Sequence, residues 1–468
     1  MIISILTAVL LVGALCLLCA RVRILTRRRD GRTLAFLHPF CNDGGGGERV
    51  LWVAIRELIR SGVVRAERWR VVVYTGDPVS DDEIRRHALA RFGVSIPAEV
   101  VFRRLALRSV IEPKYYPVAT LIGQAVGSLL LAAEAVLRDP PDVLVDTTGL
   151  HFCLPLLRLL GVRRLACYVH YPIISSDMID AVASRKAAHN NGRLFARFGS
   201  GTRVKLLYYR SLVALYRFAG RRSDVTMANG TWTARHIGAL WGQMPKVVFP
   251  PCDTTQLRAL PLEPPPPAAP RDAARLVLSV AQFRPEKDHA KQLRAFSLLL
   301  RMWDAAGASA PRPTLVVAGA VRHEADQRRL DELRALASVE LRLPEGAVRF
   351  EPNLSLRELH ALLGTAAVGL HTMWNEHFGI GVVEMLAAGV ATIAHRSGGP
   401  ALDIIDDGVT GRLAETAEEY ADAMASLLLK PGAPAARAAM AAAGRASVAR
   451  FSEEAFAESF VDGVSAVL

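Results

Sequence analysis

The chain has 468 residues, 51% of them hydrophobic, with a formal net charge of +12. That length gives room for two domains with large cores, and the mean hydropathy of +0.23 is high for a soluble protein. The basic balance would suit nucleic acid, but no nucleic-acid module is present, so nucleic acid is excluded as a partner; basic residues facing anionic lipid headgroups fit better. The six cysteines are scattered and exclude a disulfide framework.

Residues 1–20, MIISILTAVLLVGALCLLCA, carry no charged side chain and are long enough to cross a bilayer as a helix. Arg21, Arg23, Arg27, Arg28 and Arg29 follow at once. A cleaved signal would carry its charge before the apolar run and a small-residue cleavage site after it. The reversed order predicts a transmembrane anchor with a lumenal N-terminus and a cytosolic body after Arg21. The sequons at Asn229 and Asn353 would then stay bare. Cys16 and Cys19 fall within the apolar run, and Cys41, Cys153, Cys167 and Cys252 read as free thiols of a reducing compartment.

Residues 33–255 read as one α/β domain, with short apolar strands at Leu34–Leu37, Val71–Tyr74, Val143–Val145 and Leu165–Val169. The glycine run Gly44–Gly47, including Gly45 and Gly46, follows the first strand and precedes a helix starting near Glu48. It permits close backbone approach to a ligand, or serves only as a flexible turn. Residues 118–137 are nearly a second apolar span, interrupted by Gln124 and Glu134. A full crossing would split the domain, which leaves a helix lying in the membrane interface or buried in the core. His170 ends the fourth strand, where open α/β sheets hold ligands, although a lone histidine also serves structure.

LPLEPPPPAAPR, residues 260–271, is a proline-rich linker. Residues 272–440 repeat the alternation, with strands at Leu276–Val280, Thr314–Ala318, Val348–Phe350, Val368–Leu370 and Thr392–Ala394, and residues 441–468 form a tail. After the first of these strands, SVAQFRPEKDH places Arg284 and Lys287 in a basic loop. Positive charge there would stabilise a departing diphosphate, while a surface salt bridge is the alternative for Arg284. No Asp-x-Asp metal signature is present, since Asp406–Asp407 sits beside a glycine turn.

HTMWNEHFGIGVVE, residues 371–384, separates Glu376 and Glu384 by seven residues. Glu376 reads as a loop residue, Phe378 and Gly379 as the opening of a helix, and Glu384 as lying about two turns into it. A helix start offers unpaired N–H groups to an anion, and carboxylates accept from hydroxyls. The pattern describes a site for a sugar joined to a phosphate. AHRSGGPALDIIDDGVTGRL, residues 394–413, adds a glycine turn at Gly398 and Gly399, a short helix and a second glycine turn.

In this order the motifs resemble the retaining, nucleotide-sugar-dependent glycosyltransferases of family four, which have two facing Rossmann-like domains (the glycosyltransferase-B fold). The resemblance covers nearly all of the chain after residue 33. HPFCNDGGGGERVLW, YVHYPIISSDM, NGTWTARHI, AQFRPEKDH and HTMWNEHFGIGVVE resemble the GDP-mannose-dependent α-1,2-mannosyltransferases of asparagine-linked glycosylation. That resemblance implies mannose transfer to a dolichol-diphosphate-linked oligosaccharide on the cytosolic face of the endoplasmic reticulum, with retained configuration. It implies catalytic roles for Glu376, His170 and Lys287. The donor would meet Arg284, Lys287, Glu376, Phe378, Gly379, Ile380, Glu384, Gly398, Gly399, Gly45 and Gly46, with Glu384 on the ribose and Glu376 on the mannose. Lys287 carries over from the family motif, whereas the family's arginine position holds Gln282 here. The tail would be a helix packing back on the first domain. No metal or cofactor is expected beyond the donor substrate. Membrane lipids are expected partners, and a complex with other mannosyltransferases of the pathway stays open. The alternatives are another retaining nucleotide-sugar transferase of the same pathway, or a non-catalytic nucleotide-sugar-binding subunit.

Overall fold

The computed structural model describes residues 18–24, 26, 31–173, 199–261, 275–308 and 311–468. The uncharged run up to residue 17 and residues 262–271 of the proline-rich segment lie outside the described residues, as do residues 174–178 of the YVHYPIISSDM motif. The chain divides into two compact units. The first holds everything up to Asn229, together with Thr233–Val248 and Ala457–Leu468; the second holds Gly230–Trp232 and Phe249–Phe456.

The first unit is built on a seven-stranded sheet of β1 (Arg32–Leu37), β2 (Trp69–Thr75), β3 (Val101–Arg104), β4 (Val143–Asp146), β5 (Arg164–Val169), β6 (Val225–Ala228) and β7 (Lys246–Val247). Its order is β3-β2-β1-β4-β5-β6-β7, and every pairing is parallel. Helices cover both faces, so the central strands are buried almost throughout and read as continuous apolar runs. The order reverses between β1 and β4, so a crevice opens beyond their C-terminal ends. Within this unit the tail residues pack on β5, β6 and β7: the Phe460 ring lies 6.1 Å from that of Tyr168, Lys246 pairs with Asp462 at 2.5 Å, and Gly463 lies against Met227.

Residues Thr120–Arg138 form the helix expected from the second apolar run. Leu131, Ala132, Ala135 and Val136 are fully buried in the core. The two polar residues that interrupt the run tie the helix to the Ala106–Ile111 segment. The Gln124 amide donates to the Ile111 carbonyl at 2.9 Å, and Glu134 accepts from the Ala106 and Leu107 N–H groups at 2.7 and 2.9 Å. The opposite side carries Ile122, Val126, Leu130 and Leu137, all exposed. Their spacing of four, four and seven draws one stripe along the helix.

The second unit contains β8 (Leu276–Val280), β9 (Thr314–Gly319), β10 (Val348–Pro352), β11 (Val368–His371), β12 (Ala391–His395) and β13 (Arg412–Ala414), in the order β10-β9-β8-β11-β12-β13, again all parallel. Its switch point falls between β8 and β11. The strands absent from the sequence reading, β3, β6, β7 and β13, are two to four residues long. All four are too short to show a clear pattern, and β3 is half arginine, so they form by pairing with neighbouring strands rather than from their own pattern.

Candidate active site

In the second unit, the loops that leave β8 and β11 meet at the switch point. Lys287 closes a short 3₁₀ turn, Pro285–Lys287. Thr372, the first residue after β11, donates its hydroxyl to the carbonyls of Lys287 (2.8 Å) and Asp288 (3.1 Å), and accepts from the Gln292 amide at 2.9 Å. Asp288 takes up the left-handed conformation and caps the helix His289–Ala305 through the Lys291 N–H. These bonds put Lys287 Nζ 2.5 Å from a Glu376 carboxylate oxygen. His371 Nε2 lies 3.3 Å from the same oxygen. Burial pushes the Glu376 carboxyl up, but the His371 hydrogen bond and the Lys287 charge outweigh it and hold the group well below the usual carboxylate range. Glu376 is therefore an ionised acceptor.

The Glu376 loop is clamped from behind. Its Asn375 N–H donates to Ser397 Oγ at 2.8 Å, and the Gly399 N–H donates to the Glu376 carbonyl at 2.7 Å. A Cβ on Gly398 would stand 2.2 Å from the Glu376 carbonyl oxygen, and one on Gly399 would stand 2.4 Å from that of Phe378. The missing side chains of both glycines thus close this loop, a partner the sequence reading did not foresee. The Phe378 ring is buried against Phe249 and Phe451, so the phenylalanine anchors the loop in the core. Gly379, at φ 112°, caps the helix Ile380–Ala388. The first helical bonds run from the Val382 and Val383 N–H groups to the Gly379 carbonyl. The N–H groups at Ile380 and Gly381 precede them and suit an anionic ligand. The helix starts later than the sequence reading placed it, because Phe378 is held in the core and the glycine cap comes after it. Half-buried Glu384 therefore lies little more than one turn from the start, rather than two.

Other expected residues fall around this cluster. Arg284 is half-buried three positions before Lys287 and makes no ion pair among the described residues. Asp406 and Asp407 are engaged in their own turn: the Asp406 N–H donates to Thr410 Oγ1, and Asp407 accepts from the Leu413 N–H. The NGTWTARHI motif supplies a support that sequence reasoning missed. The Thr231 N–H donates to the Asp403 carboxylate at 2.8 Å, and the Trp232 ring lies 4.9 Å from that of His377, next to Glu376.

In the first unit, His38 follows β1, Thr147 follows β4 and His170 follows β5. Gly44, at φ 77°, turns the chain, and Gly45 caps the helix Gly46–Arg60. That helix begins two residues before Glu48, because the Glu48 carboxylate reaches back to accept the Gly45 N–H. His38 Nδ1 lies 2.7 Å from Thr147 Oγ1, and its Nε2 lies 3.6 Å from Glu48. His170 Nε2 lies 3.1 Å from the Thr147 carbonyl oxygen. Burial, with His38 nearby, lowers the His170 pKa to about 4, so the ring is neutral. Beneath this row, Asp146, His151 and Cys167 bring ligand-type atoms within 4.8 Å of one another. Burial raises the Cys167 pKa and keeps it a thiol. Asp146 Oδ1 accepts from the Thr148 and Gly149 N–H groups. Asp146 thereby pins the loop that follows Thr147.

The family described as ALG11 mannosyltransferase N-terminus matches residues 31–241, and Glycosyl transferases group 1 matches residues 266–447. The GDP-Man:Man(3)GlcNAc(2)-PP-Dol alpha-1,2-mannosyltransferase of Mus musculus is 41% identical over 446 residues, covering 94% of this chain and 88% of the relative. The chain belongs to that mannosyltransferase family. The Homo sapiens relative is 40% identical, with 97% of this chain and 92% of the relative covered, and the Dictyostelium discoideum relative is 40% identical, with 92% and 83% covered. Among solved structures, the trehalose 6-phosphate synthase of Burkholderia multivorans gives a TM-score of 0.63 at 15% identity, covering 93% of this chain and 99% of that one. Anabaena Alr3699/HepE in complex with UDP gives 0.60 at 16%, covering 93% and 100%. At such identities these two speak for the fold alone, the two-domain glycosyltransferase-B class.

Proposed function

We propose that the protein transfers mannose from GDP-mannose, in α-1,2 linkage and with retained configuration, to a dolichol-diphosphate-linked oligosaccharide at the cytosolic face of the endoplasmic reticulum. The observation that carries this reading is the family membership along nearly the whole chain, joined to an intact Lys287–Glu376–His371 cluster at the switch point of the second sheet. A degenerate, non-catalytic subunit would have no need of a buried, ionised carboxylate paired with a lysine.

In this reading Lys287, assisted by Arg284, stabilises the departing GDP diphosphate, in place of a metal. Glu384 holds the ribose hydroxyls and Glu376 the mannose hydroxyls, and the Ile380 and Gly381 N–H groups meet sugar or phosphate oxygens. His170 orients the sugar or the acceptor. The departing phosphate takes the acceptor hydroxyl's proton on the same face, so no enzyme nucleophile is required. The apolar stripe Ile122–Leu137 supports membrane lipid as a partner. Leu18 and Val22 are also exposed, and Ile24 packs into the same core cluster as Leu131 and Ala135, so the segment just after the N-terminal apolar run enters the fold of the first unit.

The test is donor selectivity of the full chain in detergent or nanodiscs, with a phytanyl-diphosphate oligosaccharide acceptor. Transfer from GDP-mannose but not from UDP-glucose is expected. Transfer from UDP-glucose alone, or donor binding without turnover, would overturn the proposal.

A further inference from the structure

The glycine loop and His170 are joined by a chain of polar contacts, hydrogen bonds except for the 3.6 Å ion-pair contact between Glu48 and His38, that the proposed reaction does not itself require. Glu48 is buried, at 8% exposed, on the first turn of the Gly46–Arg60 helix. Burial raises its pKa, but the neighbouring His38 ring and the hydrogen bond from the Gly45 N–H outweigh this and lower it. The Glu48 carboxylate, 3.6 Å from His38 Nε2, favours a proton on the nitrogen that faces it. His38 Nδ1 then meets the Thr147 hydroxyl at 2.7 Å. That hydroxyl donates if the His38 ring is neutral and accepts if it is charged.

The next link is fixed by backbone chemistry. The Thr147 carbonyl oxygen can only accept, so the His170 Nε2 that lies 3.1 Å from it must carry a proton. A neutral ring with its proton on Nε2 has a bare Nδ1, and such a ring is an acceptor toward its ligand rather than a donor. Gly47 sits over both rings: an added Cβ would lie 3.6 Å from His170 Nε2 and 3.9 Å from His38 Cε1.

We propose that Glu48, His38 and Thr147 are positioning residues that fix His170 with its proton on Nε2, so that Nδ1 accepts a hydrogen bond from a substrate hydroxyl. The glycine loop and the histidine are then set together, because the carboxylate that receives the Gly45 N–H also anchors the chain leading to His170. This deepens the mannosyltransferase reading and rests on it for the identity of the hydroxyl, which belongs to the donor sugar or to the acceptor.

Two measurements test it. The first is ¹⁵N spectroscopy of the histidine-labelled wild-type chain, with His170→Asn identifying the signal. In the unliganded protein, a protonated Nε2 and a bare Nδ1 are expected between pH 6 and 8; a proton on Nδ1 would overturn the proposal whatever substrate the enzyme uses. A shift of the Nδ1 signal with GDP-mannose but not GDP assigns the hydroxyl to the sugar, and a shift with the lipid acceptor alone assigns it to the acceptor. No shift in any arm removes the ligand contact and with it the proposal.

The second is a double-mutant cycle. Loss of the carboxylate charge beside His38 predicts that Glu48→Gln lowers kcat roughly 10-fold, while calorimetric GDP affinity stays within about 2-fold. In a His170→Asn background, Glu48→Gln should cost almost nothing more, because its effect passes through the ring. Thr147→Val should behave like Glu48→Gln, and Thr147→Ser should restore activity. Equal losses in both backgrounds would mean that Glu48 shapes only the glycine loop, and the positioning role would be wrong. An inactive wild-type chain whose ring shows the expected tautomer would instead count against the mannosyltransferase reading alone.

Discussion

Glu376 already holds two partners, Lys287 and His371, on one carboxylate oxygen. Removing Glu376 frees Lys287 for phosphate, so Glu376→Ala should leave GDP affinity nearly intact and lower kcat, because the mannose contacts proposed for it would count most as the sugar changes shape and charge. Glu384→Ala should instead weaken GDP and GDP-mannose alike, the mark of uniform binding. Each loss should be roughly 10- to 100-fold, one charge-assisted hydrogen bond. Calorimetry with GDP decides the assignment; reversed outcomes would exchange the two roles. A second residue-scale expectation concerns pH. The folded His170 pKa, about 4, lies below the unfolded value of about 6.5. The unfolded chain therefore binds more protons between these values, and stability falls as the pH drops through that window. His151, His289 and His395 are lowered too and add to the same limb. The readout is thus the difference between wild type and His170→Asn in denaturant melts. Wild type should lose more stability than the variant from pH 6.5 to 4, and parallel curves would contradict the neutral ring. Glu376 and Glu384 stood out in the sequence as candidates by spacing and Lys287 by its place in a family motif, and the structure brings Lys287 to Glu376. His371 stands in the same motif, but its bond to Glu376 depends on the loop folding back on its own strand end. Thr147 acts through a backbone carbonyl, which leaves no trace in residue type.

Among the elements, the loop pair that frames Glu376 matters most. Residues 397–399 form its rear wall, and a methyl on Gly399 would press on the Phe378 carbonyl at 2.4 Å. Backbone cannot yield as a flexible side chain does, so Gly399→Ala should destabilise the protein by about 1–3 kcal/mol and lower kcat by shifting Glu376. A thermal melt and steady-state kinetics would show it; wild-type values in both would mean that the clamp is dispensable. The glycine pair was visible in the sequence, but its partner was not, since residues 375–378 and 397–399 meet only after β11 and β12 pair. The Thr120–Arg138 helix shows the converse. Its apolar content suggested a span, whereas the two residues that broke the pattern, Gln124 and Glu134, are the ones that dock it.

For the whole molecule, the parallel sheets were legible from apolar runs, and the short strands β3, β6, β7 and β13 were not, because they borrow their order from neighbours. The excursion of Gly230–Trp232 into the second unit also left no compositional trace. The two sequons now carry unequal weight for topology. Asn229 is 6% exposed at the end of β6 and has no room for a glycan in the folded protein, whereas Asn353 is exposed. A cytosolic body predicts an unmodified Asn353 and digestion of the body by protease added to intact microsomes. A glycan at Asn353, or full protection, would reverse the orientation.

The central claim is mannose transfer from a GDP-mannose site organised by Lys287 and Glu376. It is tested most directly by incubating the purified full-length chain with GDP-mannose and a phytanyl-diphosphate oligosaccharide in the presence of EDTA, then digesting the product with an α-1,2-specific mannosidase. The account predicts a mannosylated lipid that the mannosidase returns to the starting acceptor, and roughly 100-fold less product from Lys287→Ala. A product resistant to that enzyme, or activity that vanishes in EDTA and returns with manganese or magnesium, would contradict it.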